Sequence, residues 1–418
     1  MLSPATFSTP FANPDGRTTA VVASGADAYA NARRALARFD LGVARNRRVL
    51  LKPNAGRIVR AGLGITTEPQ VVAAAIDAFV EAGADVSVGD SPIVGVRELQ
   101  ALESSGIADV VRARRCRLLY MDKRRYVELP LPEGRAIRSL RVCPDVFEHD
   151  IVVSIPVMKT HMHTRVSLAV KNMKGCLWRR SKVDLHMLPA VPGYSDKSLD
   201  VAIADMSAVL RPHLSLIDGT VGMQGLGPSA GTQKPLGVVV ASADAFAADA
   251  VACQLMGIAA EEVPHLRLGA AWGYGIIDLE RIEVTPENWQ QCASPFERAP
   301  TSLAIEFAGV DVRDDKSCSA CQSTLLLYLR RFGEKLVADF GNGSPVVVAI
   351  GKGHVQVPEG TICIGNCLLE HRARGVFVPG CPPVGSAIER TIDAARAGTA
   401  SPAYAEEIET DEEDAEVG

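Results

Sequence analysis

From Arg48 onward the sequence alternates short runs of aliphatic and β-branched residues with helical patterns, which restricts the chain to a few α/β architectures. Val49-Leu50-Leu51, then Pro69 to Glu81, then Asp85-Val86-Ser87-Val88 have the order and spacing of parallel βαβ units. Further strands are expected at Ile151 to Ile155, Leu214 to Ile217 and Gly237 to Ala241, with helices at Leu199 to Leu210, Ala245 to Met256 and Val263 to Trp272. The stretch from about Arg281 to Pro300, with Pro286, Pro295 and Pro300, reads as a boundary. Beyond it a second α/β pattern runs through β-type segments at Leu303 to Phe307, Val346 to Ile350, Thr361 to Ile364 and Val376 to Val378. Its helices are expected at Thr324 to Ala338 and Val384 to Ala397.

The expected organisation is an N-terminal arm and first helix over 1–45 and a Rossmann-like, mostly parallel α/β substrate-binding domain over 46–295. A smaller C-terminal α/β module follows over 300–398, where Cys318, Cys321, Cys367 and Cys381 make it the expected iron–sulfur module, then a disordered acidic tail over 399–418. Glu406 to Glu416 carry eight acids of a chain whose net charge is −5, so the remainder is close to neutral and neither half has the charge of a nucleic-acid binder. Residues 1–20 lack the basic start and apolar run of a signal peptide, and no apolar stretch approaches the roughly 20 residues that span a bilayer. A cytoplasmic location is therefore expected, where clustered cysteines more often hold metal than form disulfides.

Two constellations carry chemistry. The first is a set of strand ends that run into polar residues: Leu51-Lys52-Pro53-Asn54, Gly89-Asp90-Ser91-Pro92, Ile217-Asp218-Gly219-Thr220, and the dense segment Lys159-Thr160-His161-Met162-His163-Thr164 followed by Lys171-Asn172. Ligands in open parallel sheets sit at such carboxyl ends. Lys159, His161 and Lys171 are the expected catalytic groups. Lys52, Asn54, Asp90, Ser91, Thr164, Asn172, Asp218 and Gly219 are the expected substrate-binding groups, around an anionic small molecule. The rival reading is a solvated basic loop. Gly222, Gly225, Gly227 and Gly231 suggest a flexible loop that approaches an anion, or a structural turn. Arg179, Arg180, Lys182 and His186 suggest a mobile lid or a plain surface loop. A His161/His163 metal site is disfavoured, because residues two apart on a continuing strand face opposite ways.

The second constellation is Cys318 and Cys321 in Cys-Ser-Ala-Cys, Cys367 in Ile-Gly-Asn-Cys and Cys381 in Pro-Gly-Cys-Pro-Pro. Each lies in a loop of Gly, Pro or small polar residues, where backbone can approach a cluster closely. An iron–sulfur site, a structural zinc with four thiolates, and unrelated thiols are the three readings; zinc usually draws on two local Cys-x-x-Cys hairpins, and only one is present. Cys363 could replace Cys367 but falls inside an expected strand.

Cys-x-x-Cys, Gly-x-Cys and Pro-Gly-Cys-Pro before a helix resemble the proximal-cluster module in small subunits of nickel–iron hydrogenases, which implies a [4Fe–4S] cluster on Cys318, Cys321, Cys367 and Cys381. Leu-Lys-Pro-Asn, Gly-Asp-Ser-Pro, Lys-Thr-His with Lys-Asn-x-x-Gly, and Asp-Gly-x-x-Gly-Met-x-Gly are similar to the domain-of-unknown-function family 362 over roughly Val49 to Gly275. Members of that family are frequently joined to iron–sulfur modules, although the family's two-cluster ferredoxin insert has no counterpart here. The combined expectation is an iron–sulfur oxidoreductase whose [4Fe–4S] cluster exchanges electrons with an anionic small molecule bound at the strand ends of the N-terminal domain, with an external electron donor or acceptor protein as a further partner. A non-redox lyase or isomerase and a non-catalytic electron carrier are the alternatives.

Overall fold

The computed structural model describes residues 7–94, 96–299, 306–383 and 385–399. The chain divides into two compact units, Met1–Thr301 and Ser302–Gly418.

The first unit is built on a ten-stranded, mostly parallel sheet. In chain order its first strands are β1 (Thr18–Ser24), β2 (Arg48–Pro53), β3 (Asp85–Val88) and β4 (Arg117–Leu118). A separate antiparallel ribbon follows, β5 (Val127–Pro130) with β6 (Ser139–Val142). The sheet resumes with β7 (Ile151–Ile155), β8 (Val157–His161), β9 (Arg165–Ser167), β10 (Leu214–Gln224), β11 (Thr232–Ser242) and β12 (Ile282–Thr285). The main path runs β12-β1-β11-β10-β7-β2-β3-β4, with β8 and β9 branching beside β10.

Apolar side chains alternate between the two faces of the central strands. Leu50 and Val152 join the core beneath helices Ser198–Met206 and Ala245–Leu255, whereas Val49, Leu51, Ile151 and Val153 join the opposite core, beneath helices Ala28–Leu36 and Pro69–Glu81. A sheet covered on both faces needs such near-continuous apolar strands.

Pro156 divides what would otherwise be one long strand. β7 pairs with β2 as far as Ile155, opposite Pro53; after Pro156, β8 pairs with β10 and β9. Proline has no N–H for the ladder, and here it marks the point where the chain changes neighbours. β8 does not pair with β2, and it is tied instead to the segment that leaves β2, with Lys159 Nζ donating to Asn54 Oδ1 at 2.6 Å and to Ile65 O at 2.9 Å.

Several expectations need correction. Thr18–Ser24, expected as part of a loose arm, is a sheet strand between β11 and β12, because Ala20, Val21, Val22 and Ala23 are all buried. The glycines after Asp218 belong to a long hairpin, β10 with β11, rather than to a flexible loop. A Cβ on Gly227 would stand 1.9 Å from Thr160 O and one on Gly231 2.0 Å from Gln224 O, so these glycines permit close backbone packing.

The second unit holds four parallel strands in sequential order, β13 (Val310–Asp314), β14 (Val346–Ile350), β15 (Thr361–Ile364) and β16 (Gly375–Val378). Helices Ser319–Phe340 and Gly385–Arg396 pack Leu325, Leu329, Leu336, Ile388 and Ile392 onto Val348, Ile350, Ile362 and Ile364. The first strand among the described residues of this unit is Val310–Asp314; of the run expected at Leu303 to Phe307, residues 303–305 lie outside the described residues, as do residues 400–418 of the expected tail. Among the described residues no helix is long and apolar enough to cross a membrane.

Placing a carboxylate at Ala20 buries an unpaired charge between two strands. A20D is expected to lower stability by about 3 kcal/mol or more, read from the urea midpoint, against under about 0.5 kcal/mol for an exposed change such as S24T.

Candidate functional site

Lys52 is two residues beyond Leu50 on β2, on the same face of the strand. Its side chain is 1% exposed and forms an ion pair at 2.7 Å with Asp90, which follows β3 and is 2% exposed. The ammonium also donates to Asn172 Oδ1 and to Pro53 O, both at 3.0 Å, so all three of its donors have acceptors. Asn172 donates back to Lys52 O at 3.2 Å and to Ser154 Oγ at 3.0 Å. The second Asp90 oxygen accepts from the Ala55 amide at 2.7 Å. A Cβ on Gly175 would stand 2.3 Å from Asp90 Oδ1 and 2.6 Å from Lys52 Nζ, so only glycine leaves room for the pair. Lys52, Asp90 and Asn172, expected to bind substrate, are saturated by one another.

The next cations are held differently. Lys159 at the end of β8 has only the neutral acceptors Asn54 and Ile65, and burial, reinforced by the charge of Arg57, pushes its ammonium down to about 7. Lys171 donates to Ser167 Oγ at 3.1 Å and lies well below the ordinary lysine value through burial, with Lys174 and Lys159 adding repulsion. Lys174 Nζ is 2.6 Å from His186 Nε2 and is pushed down to about 7 by burial and then by Lys182. Among the described residues none of these three lysines forms an ion pair with a carboxylate. An enclosed ammonium without a counter-charge is costly enough to shed its proton or to recruit an anion.

His161 completes this group. Its Nδ1 accepts from the backbone amides of His163 at 3.1 Å and Thr164 at 3.4 Å, so in the neutral ring the proton sits on Nε2. Burial first, and Lys171 second, hold the ring well below its ordinary pKa and keep it neutral. β8 ends at His161 and the chain turns, so the rings of His161 and His163 approach to 5.9 Å instead of facing opposite ways; His163 and His186 are 6.5 Å apart.

Other expected residues serve the framework. Asp218 accepts from the amides of Glu68 at 2.8 Å and Thr220 at 2.9 Å, and burial raises its pKa to about 6. Gly219 lies where a Cβ would meet Val238 Cγ2 at 2.6 Å, and Thr164 Oγ1 donates to Val166 O at 3.1 Å. Ser91 donates to Asp122 Oδ2 at 2.5 Å and accepts from Lys182, which also pairs with Asp122 at 3.3 Å. The segment carrying Lys182 and His186 is thus packed into the site, neither lid nor plain surface loop. Lys174, Asp122 and Arg57 were not singled out in the sequence; the signal available was the density of cations from Lys171 to Lys182. Asp249, also missed, holds the short helix Ala169–Asn172 by accepting from the amides of Ala169 at 2.7 Å and Val170 at 3.0 Å.

In the second unit Cys318 precedes helix Ser319–Phe340 and Cys321 lies in its first turn, Cys367 follows β15, and Cys381 follows β16. The Cys318 thiol is lowered to about 6, chiefly by its hydrogen bond with the Cys321 thiol and further by the Cys321 and Ala320 amides, against the effect of burial. Cys321 is raised by the same partner and by burial, with Cys381 and Cys367 adding charge repulsion; Cys367 is raised by burial and then by Cys381 and Cys318. The four sulfurs thus share one electrostatic neighbourhood. Gly365, at φ 101°, would place a Cβ 3.5 Å from Cys321 Sγ, so a side chain there would enter this space. Cys363 is buried within β15 against Ala349, Val357 and Leu368. Among the described residues no group of three or more His, Cys, Asp or Glu side chains is arranged to hold a metal ion.

These features define a mixed α/β protein with a mostly parallel sheet and a carboxylate-poor cluster of lysines and histidines at its strand ends. The family model described as "Domain of unknown function (DUF362)" matches residues 49–254, the part that contains this cluster. The thylakoid-associated protein sll1697 of Synechocystis sp. is 29% identical over 219 residues, 52% of this chain and 66% of that protein. The lactate racemase apoprotein of Thermoanaerobacterium thermosaccharolyticum is similar in structure with a TM-score of 0.40 and 15% identity, over 59% of this chain and 60% of that one. Each match spans less than two thirds of the relative's own length.

Removing either partner of the Lys52–Asp90 pair strands a buried charge. K52M and D90N are each expected to cost about 3–5 kcal/mol in urea unfolding. The double variant K52M/D90L is expected to cost less than the sum of the two single changes, because no charge is then left unpaired.

Proposed function

We propose that this protein is an iron–sulfur oxidoreductase acting on a small anionic organic molecule bound at the strand ends of its first unit. The observation that carries this reading is the set of three enclosed lysines, Lys159, Lys171 and Lys174, whose hydrogen-bond partners are all neutral. A bound anion supplies the missing counter-charge, and it does so where binding groups gather in open α/β sheets. Lys159, with a pKa of about 7, is suited to give or take a proton near neutral pH, and the Nε2–H of His161 is suited to hold the anion in place.

Cys318, Cys321, Cys367 and Cys381 would hold a [4Fe–4S] cluster, whose chemistry is the transfer of single electrons. The support is chemical: four thiols in one electrostatic neighbourhood, one of them lowered to about 6, and a glycine beside the sulfur of Cys321. An external protein would supply or remove the electrons. A second reading, a lyase or isomerase in which the cluster acts as Lewis acid or brace, is favoured by the pKa of Lys159, because a near-neutral amine serves proton abstraction without any electron.

Anaerobic purification followed by iron and acid-labile sulfide analysis and EPR tests the cluster. About four irons and four sulfides per chain are expected, with a dithionite-dependent signal that C318A abolishes; one zinc per chain without sulfide would overturn the assignment. K159M tests the pocket: anion binding and turnover should fall at least about tenfold while the EPR signal persists.

The pH dependence follows from Lys159. The unfolded chain keeps this proton up to about pH 10.4, whereas the folded protein releases it near 7, so between these values the unfolded state binds more protons. Stability of the anion-free protein should therefore rise with pH across that window and anion affinity should fall. K159M should make both trends shallower without abolishing them, because Lys174 and Lys171 contribute with the same sign, as measured by urea midpoints and calorimetry.

A further inference from the structure

A cavity of about 240 Å³ opens beside His161, walled on one side by the start of helix Ser198–Met206. Most of its charged lining is already matched. Asp196 pairs with Arg267 at 2.8 Å and Arg298 with Glu262, while Asp200 shares a hydrogen bond with the His265 ring at 3.0 Å. Two lining cations remain, Arg165 and Lys197, and among the described residues neither has an ion-pair partner. Arg165 has a φ of 64°, a left-handed conformation that side-chain residues seldom adopt, at the start of β9 opposite His161. Met162, Ile258 and Pro264 give the wall an apolar part, beside the polar Ser195, His161 and His163.

We infer that this cavity binds a short-chain carboxylate, its head group held between Arg165 and Lys197 and its carbon chain lying on Met162, Ile258 and Pro264. The inference rests on the reading above that the substrate is an anion, and it names the chemical class. The volume lies just under the roughly 300–1,000 Å³ of typical ligand sites, which suits a small organic acid and leaves no room for a nucleotide. The apolar wall separates this ligand from an inorganic oxyanion, which has no carbon chain to bury. His161 lines the cavity and feels the charges of Lys171 and Lys174, so a carboxylate in the cavity lies beside that part of the lysine cluster.

Isothermal titration calorimetry of the full chain with butyrate, butylamine and inorganic phosphate tests the assignment. Butyrate is expected to bind saturably at one site and butylamine not at all, with the R165Q/K197Q variant losing at least about tenfold in butyrate affinity. R165Q alone, at an exposed side chain, carries the same test if the double variant fails to fold. Butyrate binding no better than butylamine, or equally well in the variants, would sink the inference. Phosphate binding that persists in the wild type while butyrate fails leaves the lysine site standing without this cavity. Failure of both anions removes the two readings together.

Discussion

Lys52 has no water to solvate it, and the arrangement of the first unit answers that demand. An ammonium 1% exposed needs a carboxylate and two further acceptors, and it finds them on three different segments: Asp90 after β3, Asn172 on the short helix that follows β9, and the carbonyl of Pro53 on its own strand. Because breaking such a pair costs far more than forming it gains, the pair fixes these segments relative to one another. Gly175 is then constrained as well, since any side chain would occupy the space the pair fills. With Lys52 and Asp90 so engaged, the charge left over at the strand ends is that of Lys159, Lys171 and Lys174. The brace and the binding groups are therefore separate sets of residues.

The change of neighbours at Pro156 turns this brace into a site. Had β7 continued beside β2, Lys159 would stand on a paired strand with its ammonium on one face of a closed sheet. Instead β8 keeps β10, with which β7 also pairs, and has β9 in place of β2, and the side chain of Lys159 reaches Asn54 and Ile65 in the segment that leaves β2. A crevice at a topological break is the usual place for a ligand in this fold class. Here a single imino acid, lacking one N–H, marks its position.

Much of this was legible in the sequence. The βαβ spacing gave the fold class, and the polar residues after Leu51, Val88 and Ile155 located the strand ends that meet. Roles were harder to read, because they depend on which partner each side chain reaches. Lys52 and Lys159 both follow apolar runs, yet one ends against Asp90 and the other against a carbonyl and an amide. Asp218 has the neighbours expected of a ligand-binding acid but spends both oxygens on backbone amides of Glu68 and Thr220. Thr18–Ser24 was misjudged because its short apolar run precedes the βαβ alternation; it joins the sheet by pairing antiparallel with β11, a contact more than 200 residues away in sequence that local spacing cannot announce. The segment from Arg179 to His186 lacks periodicity because hydrogen bonds to Asp122 and Lys174, not an apolar stripe, hold it in place.

The lysine cluster also couples charge to protons. Lys159 and Lys174 lie near 7 and Lys171 lies well below its ordinary value, each chiefly because burial penalises the charged form. An arriving anion reverses that penalty, since its negative charge stabilises each ammonium, so binding draws protons into the site. Repulsion from Lys174 and Lys159 opposes protonation of Lys171, and a bound anion would offset that opposition. Reduction of an organic anion consumes protons together with electrons, and oxidation releases both. In the proposed reaction, a cluster of amines that gains protons as the anion binds and gives them up as it leaves would supply the proton half from the same residues proposed to hold the substrate. His161, kept neutral by the same burial with its proton on Nε2, stays a hydrogen-bond donor across the pH range in which the lysines change state.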